Sequence, residues 1–291
     1  MYIRLANAES SIPALRQLIK ENPFGILTTG IASPNQSFLE STHLPFLLDL
    51  EDDTSETELG VLRGHLARQN PQSKSIIASL QGTKPGSGTE PNPNPSAFLQ
   101  HEVLVLFTAA SHHYITTKFY KETKPTTGKV VPTWNYAAVQ AYGKAKIFCD
   151  SRSDETTTFL TTQLHDLSEM CERGIMGYTG RDGKEKPWTM AEAPEEFTSL
   201  LIKNIIGIEI TIEKLEGKLK MSQELGKRDV EGVLEGLATI NGDAAKGVSD
   251  MVKCKNAMKL QDSVEQDSGD ETELDTKNTR RQSIPDTRAP L

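Results

Sequence analysis

Short apolar runs separated by turn-forming residues follow one another through the first half of the chain. Each is long enough for a β-strand, and they begin at Phe24, His43, Glu58, His101, His112 and Thr133. Strands that follow one another this closely bury their apolar faces by pairing into a shared sheet. The pattern therefore predicts a barrel or a sandwich.

The run over residues 103–107 is apolar without alternation. A strand with one solvated face alternates apolar and polar residues, so this strand is expected to be covered on both faces. Contact with a second subunit is one way to cover the outer face.

Helical patterns flank these runs. Residues 10–22 combine a capping serine, Pro13 in the first turn and apolar residues at helical spacing, and Pro23 ends the pattern. Further helices are expected over residues 71–80, 155–173, 195–203 and 228–237, and a β-branched strand begins at Ile205. We expect an α+β, mainly β fold with flanking helices and a helical C-terminal region.

Two segments are too polar to bury a core. Residues 81–96 consist almost entirely of Gly, Pro, Ser, Thr and Asn, and residues 259–291 contain no aromatic residue and no periodic apolar face. We therefore predict one domain over residues 1–240 with a disordered loop inserted at 81–96. A helical extension at 241–258 and a disordered acidic tail at 259–291 follow it.

The tail contains a pattern that suits modification. Arg280 and Arg281 precede Ser283 as basophilic kinases require, although so short a pattern also arises by chance. The tail is also a candidate segment for binding protein partners.

Composition excludes several classes of protein. No run of 18 apolar residues exists, so we expect no membrane span, and the N-terminus lacks the apolar stretch of a secretory signal. Three widely spaced cysteines indicate reduced thiols, and we expect a cytoplasmic or nuclear location. A net charge of -8 argues against a basic nucleic-acid platform, and direct nucleic-acid binding stays open.

Motifs for self-sufficient catalysis are not found. The sequence has no GxSxG elbow, phosphate-binding Walker loop, GxGxxG turn or HExxH helix. We therefore predict no catalytic residue and no metal site. Any catalysis would need a bound cofactor.

The first of three polar clusters spans residues 64–72. His65, Arg68 and Asn70 lie where a strand ends and a helix begins. Free amides at a helix N-terminus and a guanidinium group favour an anion such as phosphate. The alternative is a helix cap beside a surface arginine.

The second cluster spans residues 128–136. Lys129 precedes a strand in which Thr133 and Asn135 would share one face, while Trp134 and Tyr136 would share the other. One face would offer hydrogen bonds and the other a planar surface for a ligand. The alternative is that the two aromatic side chains belong to the core.

The third cluster spans residues 216–224. Lys218 and Lys220 share one face of a strand, and Ser222 and Gln223 follow it. These residue types can bind an anion. Alternatively, this is an edge strand whose lysines prevent aggregation.

Seven strings in collinear order resemble the PaiB family, which is regarded as a family of transcriptional regulators with an FMN-binding split-barrel fold. The strings are PFGILTTG, THLPFLLD, GHLARQNPQ, EVLVLF, GKVVPTWNYAAVQAYGKAKI, KPWTMAEAP and IIGIEITIEKLEGKLKMSQE. The resemblance extends to about residue 237. The chain departs from the family pattern at Ser73, at residues 109–120, at Leu219 and at Glu224.

The resemblance implies a homodimer of split β-barrels with FMN in a groove between subunits. It suggests that the flavin phosphate is bound by residues among Arg68, Lys129, Lys218 and Lys220. The polar edges of the flavin would meet His65, Thr133, Asn135, Ser222 and Gln223, with Asn70 completing the first cluster. The wall for the ring would be Trp134 or Tyr136.

Three functions stay open. The favoured one is a flavin-binding dimer that acts as a negative transcriptional regulator through partners, and not as an enzyme. The second is an FMN-dependent oxidoreductase, which would need no protein nucleophile. The third is haem handling, with His65 or His43 as the ligand.

Overall fold

The computed structural model describes residues 1–81 and 97–257. The predicted loop at 81–96, apart from Gln81, and the predicted tail with Ser283 lie outside the described residues. The chain divides into two compact units. Of the described residues, the first unit contains those within 1–110 and 137–219, and the second contains 111–136 and 220–257. The predicted domain boundaries at 240 and 258 stay predictions.

The described residues contain nine β-strands. They are β1 (Ala8–Glu9), β2 (Phe24–Gly30), β3 (Leu39–Pro45), β4 (Leu47–Asp49), β5 (Val61–Ala67), β6 (Val103–Thr108), β7 (His113–Ile115), β8 (Thr133–Phe148) and β9 (Ile205–Lys220). The sheet of the first unit has the strand order β3-β2-β6-β8-β9-β5-β4, and β1 pairs with β9. All of these pairings are antiparallel.

The position of Phe46 shows that this sheet curls. β3 and β4 occupy opposite edges of the strand order, yet only Phe46 separates them along the chain. Neighbouring Cα atoms are about 3.8 Å apart, so the two edges must lie close together. Gly64 on β5 confirms the closure, because a Cβ atom there would lie 2.9 Å from Cδ1 of Leu44 on β3. The predicted split β-barrel with flanking helices is confirmed.

The core of the first unit fills the inside of this curled sheet. Phe46 packs edge-on against Phe107, with ring centroids 5.8 Å apart. Alternate residues of the long strands are fully buried, among them Leu27, Leu62, Val105, Val139 and Ile208. Each side chain of this size contributes about 1.5–3 kcal/mol when it leaves water.

The strand β6 has two unequal faces. Val103, Val105 and Phe107 are buried, whereas Leu104 and Leu106 are only half-buried. Cover of the outer face by a second subunit stays a prediction.

Four helices belong to the first unit. They are α1 (Ile12–Glu21), α2 (Pro71–Leu80), α4 (Asp154–Glu169) and α5 (Glu195–Lys203), numbered in chain order with α3 in the second unit. Ser11 caps α1, since its hydroxyl accepts from the Ala14 amide. The predicted helix over 155–173 ends earlier as an α-helix, at Glu169, and a π-helical segment at Met170–Ile175 continues it.

The second unit contains β7, the first residues of β8, α3 (Thr123–Thr127), α6 (Lys227–Ala238) and a helical stretch over 243–257. Asp229 in the first turn of α6 accepts hydrogen bonds from the amides of Glu122 and Thr123 and from the Thr123 hydroxyl. It thereby caps the N-terminus of α3 with a side chain from another helix.

Two glycines let α6 lie against Phe119. A Cβ atom at Gly232 would overlap the Phe119 carbonyl oxygen, and one at Gly236 would overlap the Phe119 ring. The two glycines are four residues apart and therefore share one face of the helix. Within residues 1–81 and 97–257, no helix is both long and apolar enough to cross a membrane.

Candidate functional site

The second predicted cluster lies on a short two-stranded ladder in the second unit. β7 pairs with β8 so that His113 faces Asn135, Tyr114 faces Trp134 and Ile115 faces Thr133. Side chains alternate along a strand. Thr133 and Asn135 therefore lie on one face of the ladder, and Trp134 and Tyr114 lie on the other.

Asn135 and Ser222 connect this ladder to the turn that follows β9. The Asn135 side-chain amide donates to the Ser222 hydroxyl across 2.9 Å, and both residues are fully buried. Oδ1 of Asn135 has no hydrogen-bond partner within the described residues. A buried acceptor without a donor marks an incomplete polar network.

The backbone of Ser222 is in the left-handed region, with φ of 60°. This conformation is uncommon for a residue with a Cβ atom and costs about 1 kcal/mol or more. Such residues are enriched at ligand sites, where the surrounding structure holds them in place. Ser222 therefore joins local backbone strain to the incomplete network at Asn135.

Lys220 and Gln223 complete this cluster on either side of Ser222. The Lys220 ammonium group donates to the Thr133 hydroxyl. The Gln223 side-chain oxygen accepts from the Met221 amide at 2.5 Å. The cluster thus contains a cation, two hydroxyl groups and two carboxamides. These groups suit a phosphate or a polyhydroxylated chain.

The opposite face of the ladder is aromatic. The Trp134 indole N–H donates to Nδ1 of His112 at 3.2 Å, which fixes the orientation of the indole ring. The Tyr114 ring lies 6.3 Å from the Trp134 ring, centroid to centroid. Both Trp134 and Tyr114 are about half exposed, so this face offers a planar apolar surface.

Lys129 and Tyr136 are the remaining predicted residues of the second unit, and neither belongs to this cluster. Lys129 is exposed, and its backbone amide donates to the Thr127 hydroxyl. Tyr136 is half-buried on the strand β8. Burial raises the pKa of the Tyr120 hydroxyl, and the nearby negative charges of Glu224 and Asp229 raise that pKa further.

Arg68 in the first unit binds backbone carbonyl groups. Its Nη2 donates to the carbonyl oxygens of Cys149 at 2.7 Å and Ile205 at 3.3 Å, and its Nε donates to that of Lys203 at 3.2 Å. Two of the three guanidinium nitrogens are therefore used to join the end of β5 to two other segments.

Asn70 is the N-cap of α2. Its side-chain oxygen accepts from the Gln72 amide, and its side-chain nitrogen donates to the Thr42 hydroxyl at 3.0 Å. The neighbouring Gln72 is buried, and its amide donates to Leu27, Thr29 and Glu40. This loop anchors α2 onto β2 and β3.

His65 lies on β5 with an Nδ1 atom that has no hydrogen-bond partner among the described residues. Burial lowers the pKa of His65, since a charged imidazolium would lose its water. Lys218 lies near the end of β9, where its ammonium group donates to the Tyr2 carbonyl oxygen.

The sequence contains a signal for some residues of this site and no signal for others. His112 and Tyr114 were missed as companions of Trp134, although the alternation in HHYI predicts that they share a face. The strain at Ser222 has no sequence signal, because serine rarely adopts a positive φ. Within the described residues, no group of three His, Cys, Asp or Glu side chains could hold a metal ion.

Comparisons with known proteins agree with this architecture. Residues 1–214 match a family model described as "Putative FMN-binding domain". The chain is 51% identical to an uncharacterized protein of Emericella nidulans and 49% identical to one of Aspergillus fumigatus, covering 89% of this chain and 99% of each relative. It is also 27% identical to the protease synthase and sporulation protein PAI 2 of Bacillus subtilis, over 87% of this chain and 95% of that protein.

Proposed function

The chain belongs to the PaiB-like family of FMN-binding domains, and from that premise we propose that it is a flavin-binding homodimer with a regulatory role. A flavin is the cofactor of this family. We propose three further points: which residues bind the flavin, that the protein is a dimer, and that it has a regulatory role.

The observation that carries the proposal is the cluster of Thr133, Asn135, Lys220 and Ser222 in the second unit. FMN carries a phosphate and a hydroxylated ribityl chain, which require a cation and hydroxyl or amide partners. Lys220 provides the cation, and the hydroxyl groups of Thr133 and Ser222 can donate or accept. The free Oδ1 of Asn135 can accept from a ligand hydroxyl or from a bound water molecule.

The position of the aromatic face supports a dimer in which both subunits contact each flavin. Trp134 points away from the face that carries Thr133 and Asn135, because the three residues alternate along β8. We propose that Lys220 binds the phosphate of one flavin while Trp134 meets the ring of the flavin bound to the partner subunit. Each subunit would then contribute to both sites.

Arg68 is a weaker candidate for the phosphate than its residue type indicates. Its Nε and Nη2 atoms donate to backbone carbonyl oxygens, so among the described residues only Nη1 is left for a ligand. We therefore place the phosphate at Lys220 in preference to Arg68.

The regulatory role rests on the resemblance to PaiB and on the net charge of -8, which disfavours a direct nucleic-acid platform. We propose action through protein partners. A shift of promoter DNA by the isolated protein at physiological salt would contradict this part. Oxidoreductase activity stays the second candidate, since bound FMN supplies redox chemistry.

The test of flavin binding is a titration of the full-length protein with FMN, followed by absorbance and by thermal unfolding. At 100 times the dissociation constant, FMN should add about 2.7 kcal/mol to the free energy of unfolding. A protein that stays colourless and unstabilised would overturn the proposal. Oxidation of NADPH by the loaded protein would favour the oxidoreductase.

A further inference from the structure

The helix α5 has an apolar side that the first unit leaves uncovered. Phe197, Leu200 and Leu201 are 55%, 58% and 45% exposed, and no residue of α5 is buried. Only Thr198 and Ile202 are half-buried, so they mark the side that rests on the unit. A helix of nine residues is too short to be stable in water without packing of its apolar side.

The exposed side of α5 is an open surface with charged residues toward its two ends. It is formed by Glu195, Glu196, Phe197, Ser199, Leu200 and Lys203. Neither Glu196 nor Lys203 takes part in an ion pair within the part of the chain that the structure describes. This surface therefore combines an apolar stripe with an acidic residue near one end and a basic residue near the other, neither of them in an ion pair among the described residues.

The spacing of these charges fits a second copy of the same helix. Glu196 and Lys203 lie on the same flank of the apolar stripe, because seven residues bring a helix almost to the same angle. They are about 10.5 Å apart along the axis, and their midpoint lies beside Leu200. A two-fold axis through this midpoint places each Glu196 beside Lys203 of the partner subunit, with the Leu200 side chains in contact.

We infer that α5 packs antiparallel against α5 of a second copy of this chain. The inference rests on the proposed function only for the expectation that two copies associate. An isologous contact of this kind uses the same patch on both subunits and closes without forming fibres. Opposed helix dipoles also favour the antiparallel arrangement.

The contact extends beyond α5. Stable interfaces bury roughly 800 Å² per partner, which is more than a nine-residue helix presents. Three further large apolar residues of the same unit, Ile175, Met176 and Trp188, are exposed in the segment between α4 and α5. They add exposed apolar surface in the same unit to that of α5.

The first test measures the mass of the full-length protein by sedimentation over a range of concentrations. We expect a dimer whose dissociation constant rises at least 100-fold in Leu200→Glu, because the charge would lie in the centre of the contact. Leu5→Glu changes a leucine that is 93% exposed in the same unit and serves as the matched control. A monomeric wild-type protein, or equal masses for Leu200→Glu and wild type, would overturn the inference.

The second test uses the symmetry of the charge pair. Glu196→Lys and Lys203→Glu should each weaken the homodimer about tenfold, because each places like charges opposite each other. Mixed together, the two variants should form a heterodimer as stable as the wild type, since both contacts then join opposite charges. Failure of the mixture to restore association would exclude the antiparallel pairing.

Flavin absorbance on the same samples separates this inference from the proposed function. Dissociation of Leu200→Glu in a protein that binds no FMN would leave the helix contact standing and overturn flavin binding. A flavin-loaded protein whose mass does not respond to Leu200→Glu would do the reverse.

Discussion

The carboxamide of Asn135 donates a hydrogen bond to the hydroxyl of Ser222, and neither side chain is exposed to solvent. The bond joins the first residues of β8 to the turn after β9 within the second unit. Ser222 needs such support because its φ of 60° is unfavourable for a serine. The bond therefore connects the strained turn to the strand that carries Trp134.

We predict that Asn135 and Ser222 are energetically coupled. Ser222→Ala should lower the free energy of unfolding by about 1–3 kcal/mol, because it leaves the Asn135 amide buried without an acceptor. Asn135→Ala should cost a similar amount. The double variant should be more stable than the sum of the two effects predicts, by about 0.5–1.5 kcal/mol in a urea-unfolding cycle. Strictly additive effects would show that the bond contributes nothing.

A second prediction concerns the contact between α6 and Phe119. Gly232→Ala and Gly236→Ala should each destabilise the protein by about 1–3 kcal/mol, because the added methyl group overlaps Phe119. Gly174→Ala meets no neighbouring atom within 4 Å and serves as the control. Thermal unfolding measures all three.

The two glycines should respond differently to removal of the Phe119 ring. The overlap at Gly236 is with the ring, whereas that at Gly232 is with the backbone oxygen. Phe119→Ala should therefore make Gly236→Ala harmless and leave the penalty of Gly232→Ala in place. Equal rescue of both variants would contradict this packing of α6 against Phe119.

We predict that the protein loses stability in acid as the carboxylate of Asp229 is protonated. Burial by itself raises the pKa of Asp229, but hydrogen bonds from the Thr123 hydroxyl and from nearby backbone amides outweigh it and hold the pKa below the ordinary value of 3.8. The unfolded state therefore takes up a proton first as the pH falls. The stability that Asp229 contributes is present above about pH 4 and is lost as the pH falls through the lowered pKa.

The measurement is urea unfolding of wild type and Asp229→Asn between pH 3 and pH 7. Wild type should be more stable at pH 7 by about 0.5–2 kcal/mol, the usual range for a helix cap, and the difference should shrink below pH 4. Asp250→Asn at an exposed position is the matched control. A difference that does not change with pH would reject this role.

We predict a second loss of stability, in a higher pH range, from the protonation of His65. Burial lowers the pKa of its imidazole below the ordinary value of 6.5, so the unfolded state binds a proton more readily than the folded state. Stability should therefore fall as the pH drops below about 6.5. His65→Gln should abolish this fall, whereas His101→Gln at an exposed position should keep it. An unchanged pH profile in His65→Gln would contradict the assignment.

The sequence predicts the elements of this fold more fully than their contacts. Turn formers and β-branched residues mark β6, β8 and β9, and α5 appears at the predicted residues 195–203. Local patterns suffice there, because strand and helix periodicity depend on neighbours along the chain. The path of Phe46 from one edge of the sheet to the other follows from long-range pairing, for which the sequence contains no local signal.

In the candidate site too, the contacts of single side chains depend on residues that are distant in the sequence. Arg68 has the residue type and position of an anion ligand, yet its guanidinium group binds carbonyl oxygens of Cys149, Lys203 and Ile205, which are far away in the sequence. Lys220 and Thr133 are also distant along the chain, and their contact makes Lys220 the stronger candidate. Residue type predicted the candidates, and only tertiary contacts distinguish among them.

Lys220 therefore provides the most direct test of the flavin site. Lys220→Met keeps the length of the side chain and removes its charge. If Lys220 binds the phosphate, FMN should bind about 10- to 100-fold more weakly, which is the usual loss for a charged hydrogen bond of 1.5–3 kcal/mol. Riboflavin has no phosphate, so its affinity should change less than about threefold. Lys118→Met removes an exposed lysine of the same unit and should leave both affinities unchanged. Equal losses for FMN and riboflavin in Lys220→Met would mean that this lysine supports the fold of the site and does not contact the phosphate.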